Sequence, residues 1–152
     1  MLFKTMEKIM IFDFNRTLYD PDAKSLVPKA TFVLNALTRR GFTLFLVSRA
    51  ERSRRSAIDN SGIGRYFNGI SISNEKNKDD FMSVIGDKKI DFENSFVVGD
   101  RLSDEIKIGN ALGFKTIRIK AGKFSNEVPQ TADEIPTYSV DNLEEILKML
   151  HW

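Results

Sequence analysis

The chain has 152 residues, 41% apolar and 29% charged, with a formal net charge of +2 and no cysteine. That length fits one compact domain spanning residues 1–152, and the near-balanced charge carries no strong argument for nucleic acid or an anionic membrane as a partner of the whole molecule. The lack of cysteine rules out disulfides and thiolate chemistry; with no secretory leader pattern at the N-terminus and no apolar run near the roughly 20 residues of a membrane span, the expectation is a soluble cytoplasmic protein.

In chain order, "KIMIFDF" (8–14) reads as a buried strand. "PKATFVLNALTRRG" (28–41) reads as a helix with Pro28 in its first turn, Gly41 just past its end, and Ala30, Val33, Ala36 and Leu37 on one face. "FTLFLV" (42–47) is a second buried strand, followed by a polar helix over about 50–60 and a short, weaker strand "GISIS" (69–73). A helix over 78–86, a strand "SFVVG" (95–99), a helix over 103–113 ending at glycine, a strand "KTIRI" (115–119) and a closing helix over 141–150 complete the pattern. Strands apolar on both faces that alternate with helices signal an α/β fold: three layers, Rossmann-like, around a mainly parallel sheet. The lone His151 forms no ligand cluster, and Trp152 is expected to pack or fray.

Ligands of such sheets bind at the carboxyl ends of the strands, so the polar residues just past each strand carry the chemistry. Asp13, Asn15, Arg16 and Thr17 follow the first strand, Ser48 and Arg49 the second, and Gly99, Asp100 and Asp104 the strand at 95–99. Lys78 opens the intervening helix. Clustered Asp oxygens without His or Cys suit a hard cation, with Mg²⁺ the default. Hydroxyls, backbone N–H groups and a lysine suit phosphoryl oxygens, and a carboxylate beside both could attack phosphorus in line. Taken singly, each residue has a plainer role as a turn, cap or solvated charge; together, at strand ends in this order, they point to one site.

The order Asp-x-x-x-Thr, Ser, Lys, Gly-Asp-x-x-x-Asp resembles the haloacid dehalogenase (HAD) superfamily, chiefly phosphatases, over nearly the whole chain. "NALGFKTIRI" has a similar texture. The resemblance implies that Asp13 is the nucleophile and a Mg²⁺ ligand, and that residue 15 offers its backbone carbonyl to the metal and its side chain as general acid/base. It further implies that Thr17 and Ser48 bind the phosphoryl group, helped by main chain around Arg16. Lys78 would steady nucleophile and phosphate, with Lys76 the less favoured choice. Asp100 would complete the metal shell and Asp104 support it, with Arg49 beside the phosphate.

Asn15 departs from that pattern, because phosphatases of the family carry Asp there. An amide neither gives nor takes the proton, and general acid–base catalysis is typically worth about 10²–10⁴ in rate. Asn15 is either a deliberate replacement that holds a substrate or aspartyl intermediate, which the intactness of the other positions favours, or a natural feature. In the second case the protein is weakly active, restricted to good leaving groups, or a non-catalytic phosphate-binding scaffold. The gaps from Thr17 to Ser48 and from Ser48 to Lys78 are too short for a cap domain, so the expectation is an open site for a phosphorylated small molecule or macromolecule end, covered if at all by a homo-oligomer. The run "SRAERSRRS" places Arg49, Arg52, Arg54 and Arg55 nearby, as a basic rim or a solvated helix face. A response-regulator receiver fits less well: its acidic pair belongs at the first strand and its phosphorylated Asp at the third.

Overall fold

The computed structural model describes residues 5–150; His151 and Trp152 lie outside them. In order, the chain forms β1 (Lys8–Phe12), β2 (Tyr19–Asp20), β3 (Ser25–Leu26), α1 (Ala30–Arg39), β4 (Phe42–Arg49), α2 (Arg54–Ser61) and β5 (Gly69–Ser73). It continues with α3 (Lys78–Ile85), β6 (Phe96–Gly99), α4 (Lys107–Leu112), β7 (Lys115–Ile119), β8 (Tyr138–Val140) and α5 (Glu144–Leu150). Six strands pair in the order β5-β4-β1-β6-β7-β8, and every ladder is parallel.

Alternation along the central strands divides the interior into two apolar layers, one on each sheet face. Met10 and Phe12 of β1, Leu44 and Leu46 of β4, and Phe96 and Val98 of β6 point to the side of α1 and α5. Ile9, Ile11, Phe45, Val47 and Val97 point the other way, toward Phe81 and Ile85 of α3. This is the expected three-layer sandwich. On α1 the buried residues are Ala30, Val33, Leu34 and Leu37; Ala36 is only half-buried, so the apolar stripe is rotated slightly from the expected one.

Several boundaries differ from the sequence reading for local reasons. Pro28 lies before α1, which starts after Lys29 in a left-handed conformation (φ 67°), and α2 starts only after Ser53 does the same (φ 68°). The helix expected over 103–113 begins as a wide π-type turn, Leu102–Ile106, whose Asp104 is non-helical (φ −121°, ψ −105°); α4 becomes regular at Lys107. Strand β8 and the hairpin β2–β3 are too short to show alternation. Among the described residues no inserted domain interrupts the core: β1 reaches α1 through the β2–β3 hairpin alone, and β4 reaches β5 through α2 and a single turn. No helix there is long and apolar enough to cross a membrane.

Strand β1 lies between β4, reached by the first crossovers, and β6, reached after the chain returns, so winding reverses beside the carboxyl end of β1. The two-layer packing gives a direct check by urea unfolding. Leu34→Ala, at a fully buried position, costs about 2–5 kcal/mol, whereas Phe32→Ala, on the exposed face of the same helix, stays within about 0.5 kcal/mol.

Candidate active site

Strand β1 delivers Asp13 to the sheet edge, where its N–H donates to the carbonyl of Val98 on β6 (3.0 Å). The chain then folds back on itself. The carbonyl oxygen of Phe14 accepts the N–H groups of Thr17 (3.3 Å), Leu18 (2.9 Å) and Tyr19 (3.0 Å), with Arg16 left-handed at φ 61°. This knot presents Asn15 and Arg16 to an open cleft of about 210 Å³, which Asp13, Arg49, Arg54, Lys76, Asp100, Asp104 and Glu105 also line.

At the bottom of the cleft, Lys76 Nζ donates to Asp13 Oδ1 (2.7 Å) and to Glu105 Oε2 (3.2 Å). All three side chains are buried. Burial opposes the charge on Lys76, but Asp13, Glu105 and Asp104 outweigh it and hold the ammonium above its ordinary value. Glu105 Oε1 accepts the N–H groups of Asp100 (3.2 Å) and Arg101 (3.3 Å), which fixes the loop after β6. Burial, with the charge of Asp13 second, drives the Glu105 carboxyl well upward. A Cβ on Gly99 would lie 1.9 Å from Glu105 Cγ, so only glycine lets that side chain lie across the strand end.

Carboxylate oxygens of Asp13, Asp100 and Glu105 all lie within 4.8 Å of one another. Asp100 is pushed up to about 6 by its burial and by Asp13, against the pull of Arg16. Its Oδ2 accepts from Arg16 Nε (2.9 Å), while its buried Oδ1 has no hydrogen-bond partner among the described residues. An all-oxygen donor set with an orphaned, crowded carboxylate oxygen is what a hard divalent cation such as Mg²⁺ fits.

Asp13, Asn15, Arg16, Arg49, Asp100 and Asp104 therefore meet at one cleft, and two sequence assignments are corrected. Lys78 is exposed. Asn77 caps α3, accepting the Asp80 N–H (3.2 Å) while the Asp80 carboxylate accepts the Asn77 N–H (2.9 Å), so the helix starts at Lys78 and carries it outward. Lys76, in the loop before the cap, takes the place in the site. Asp104 lines the cleft, but its carboxylate accepts from Arg49 Nη2 (3.2 Å), and Glu105 stands in the carboxylate cluster instead. Thr17 and Ser48 lie buried beside the cleft. Among the described residues the Thr17 hydroxyl has no hydrogen-bond partner, and Ser48 Oγ accepts from Arg54 Nη1. Of the basic run, Arg54 is buried and reaches the cleft with Arg49, whereas Arg52 and Arg55 are exposed. Glu105 is the site residue that sequence reasoning missed; Lys76 is the less favoured of its two lysines, and Arg54 one of the four arginines of its basic run. The capping pattern over Asn77–Asp80 could have found the lysine; no comparable signal marks Glu105 or Arg54.

Replacing Lys76 by Met leaves buried carboxylates uncompensated and is expected to cost about 3–5 kcal/mol, while Lys78→Met leaves stability unchanged in the same denaturation experiment. Gly99→Ala forces Glu105 off its loop contacts. It is expected to cost about 1–3 kcal/mol in urea unfolding.

Comparison with known proteins agrees with this fold. A family model described as HAD-hydrolase-like matches residues 76–146. Glyceraldehyde 3-phosphate phosphatase from Methanopyrus kandleri is 30% identical over 94 residues, 59% of this chain and 40% of that protein, so the chain spans less than half the length of this relative. Among solved structures, the HAD-hydrolase YfnB from Bacillus subtilis, bound to magnesium, superposes with a TM-score of 0.79 at 15% identity, covering 97% of this chain and 100% of the other. A HAD phosphatase from Thermococcus onnurineus gives 0.77 at 14% identity, covering 95% and 98%. With motif order, sheet topology and sequence likeness in agreement, the chain resembles the haloacid dehalogenase superfamily in fold and, over residues 76–146, in sequence.

Proposed function

We infer that the protein is a Mg²⁺-dependent phosphohydrolase of phosphate monoesters that works through an aspartyl-phosphate on Asp13, attenuated by Asn15. The observation that carries this reading is the buried Lys76 bonded to Asp13 Oδ1 within a cluster of three carboxylates. Asp13 and Asp100 would hold the cation, with the main-chain carbonyl of Asn15 as a further ligand. The cation would neutralise phosphoryl charge and align the phosphorus with Asp13. Lys76 fixes the attacking carboxylate and offsets the crowding of negative charge, while Glu105 holds Lys76 and the loop bearing Asp100 in register. Arg49 and Arg54 supply positive charge at the cleft, with Ser48 and Thr17 behind them. The magnesium-bound and phosphatase relatives support the reading.

Asn15 favours a second reading, a phosphate-binding or scaffold role with the proton relay lost. The open cleft suits a macromolecular phosphate end, or a small phosphate covered by a second copy of the chain.

Turnover of p-nitrophenyl phosphate and a metabolite phosphate panel, with and without Mg²⁺, separates the two. Asn15→Asp is expected to raise Mg²⁺-dependent turnover by about 10²–10⁴, and Asp13→Asn to abolish it in either background. No turnover in either form of residue 15 would favour the binding role, and turnover surviving Asp13→Asn would rule out Asp13 as nucleophile.

A further inference from the structure

We propose that the site as it stands, with Asn15, is fitted to phosphoanhydrides, whose leaving group departs as a phosphate or carboxylate anion, and that Arg16 and Lys123 receive that anion. This deepens the phosphohydrolase reading and rests on it. An alkoxide leaving group needs a proton that Asn15 cannot give, whereas a phosphate or carboxylate is stable as it leaves.

A place for such a group adjoins the cleft. A second cavity of about 470 Å³ shares Asn15, Arg16, Glu51 and Lys123 with the first. Arg16 stands at the junction. It spends only Nε on Asp100 (2.9 Å), so among the described residues both terminal nitrogens of its guanidinium are unpaired. Its stem packs on Gly122, where an added Cβ would meet Arg16 Cδ at 3.1 Å, and its guanidinium lies 4.9 Å from the centre of the Phe124 ring. Lys123 Nζ lies 5.1 Å from the same ring and, among the described residues, has no carboxylate partner. The loop carrying both is tied down by buried Arg118, which donates to the carbonyls of Phe124 (3.2 Å), Ser125 (3.2 Å) and Glu127 (2.7 Å). Two of the acids around the second cavity are engaged: Asp20 Oδ1 accepts the N–H groups of Asp22 and Ala23, and Glu51 pairs with Arg54 (3.0 Å).

In the reaction, an Asp13 oxygen forms a bond to phosphorus as the bridging P–O bond breaks. The bonding pair leaves on the phosphate or carboxylate, which Arg16 and Lys123 neutralise. Water then cleaves the aspartyl-phosphate, its proton passing to the released phosphate. No side chain need donate a proton to the leaving group.

The test compares kcat/KM for acetyl phosphate, pyrophosphate and glycerol phosphate with Mg²⁺ present, in the protein as it is and in its Asn15→Asp form. The protein is expected to favour at least one anhydride over glycerol phosphate by about 10²-fold or more, the two anhydrides showing which leaving group it takes, and Asn15→Asp to shrink that preference by about 10²-fold. Independently of turnover, calorimetry should find methylenediphosphonate bound at least about 10-fold more tightly than methylphosphonate. That margin should be lost in Arg16→Gln and in Lys123→Gln and largely restored in Arg16→Lys, as one charge-assisted contact implies. Equal use of anhydride and alkyl ester, or no diphosphonate margin, overturns the proposal while an active Asn15→Asp form leaves the phosphohydrolase reading standing. No turnover of any substrate by either form overturns both.

Discussion

The ammonium of Lys76 is what the site depends on. It sits where Asp13 and Glu105 would otherwise face each other without water, and it bonds to both. Burying three ionisable groups is expensive, and mutual attraction repays the cost only when the geometry is good and the remaining lone pairs are satisfied. Here Glu105 meets that condition with its second oxygen on two backbone N–H groups. The same carboxylate thus compensates the lysine and shapes the loop that brings Asp100 to the sheet edge. Electrostatic balance and loop conformation are one arrangement, which is why a glycine is needed at position 99.

The gross fold was legible because the strands carry their own evidence. β1, β4 and β6 are apolar on both faces, and only a sheet covered on both sides accommodates that. What escaped notice was short or non-local. β8 and the β2–β3 hairpin hold too few residues for periodicity to appear. The late start of α2 depends on a left-handed serine, a conformation that no local propensity announces.

The site was legible to the extent that it lies immediately after strands. Asp13, Asn15, Arg16, Arg49 and Asp100 follow directly from the rule that strand ends carry ligands. Lys76 does not: it stands at the tip of a connection, and whether it or Lys78 turns inward depends on where α3 is capped. Glu105 and Asp104 are adjacent in sequence, yet the non-helical backbone at Asp104 sends one to Lys76 and the other to Arg49. A regular helix would have spaced these side chains by 100° and invited the wrong choice. The arginine run divides in the same way, since α2 buries Arg54 against Ser48 and leaves its neighbours in solvent.

The Phe14 carbonyl, gathering three amide donors, ties the turn bearing residues 15 and 16 together through main-chain atoms. Side chains can therefore be exchanged on that turn without redrawing it. In such an architecture the chemical character of residue 15 is a replaceable fitting, while its position belongs to the frame.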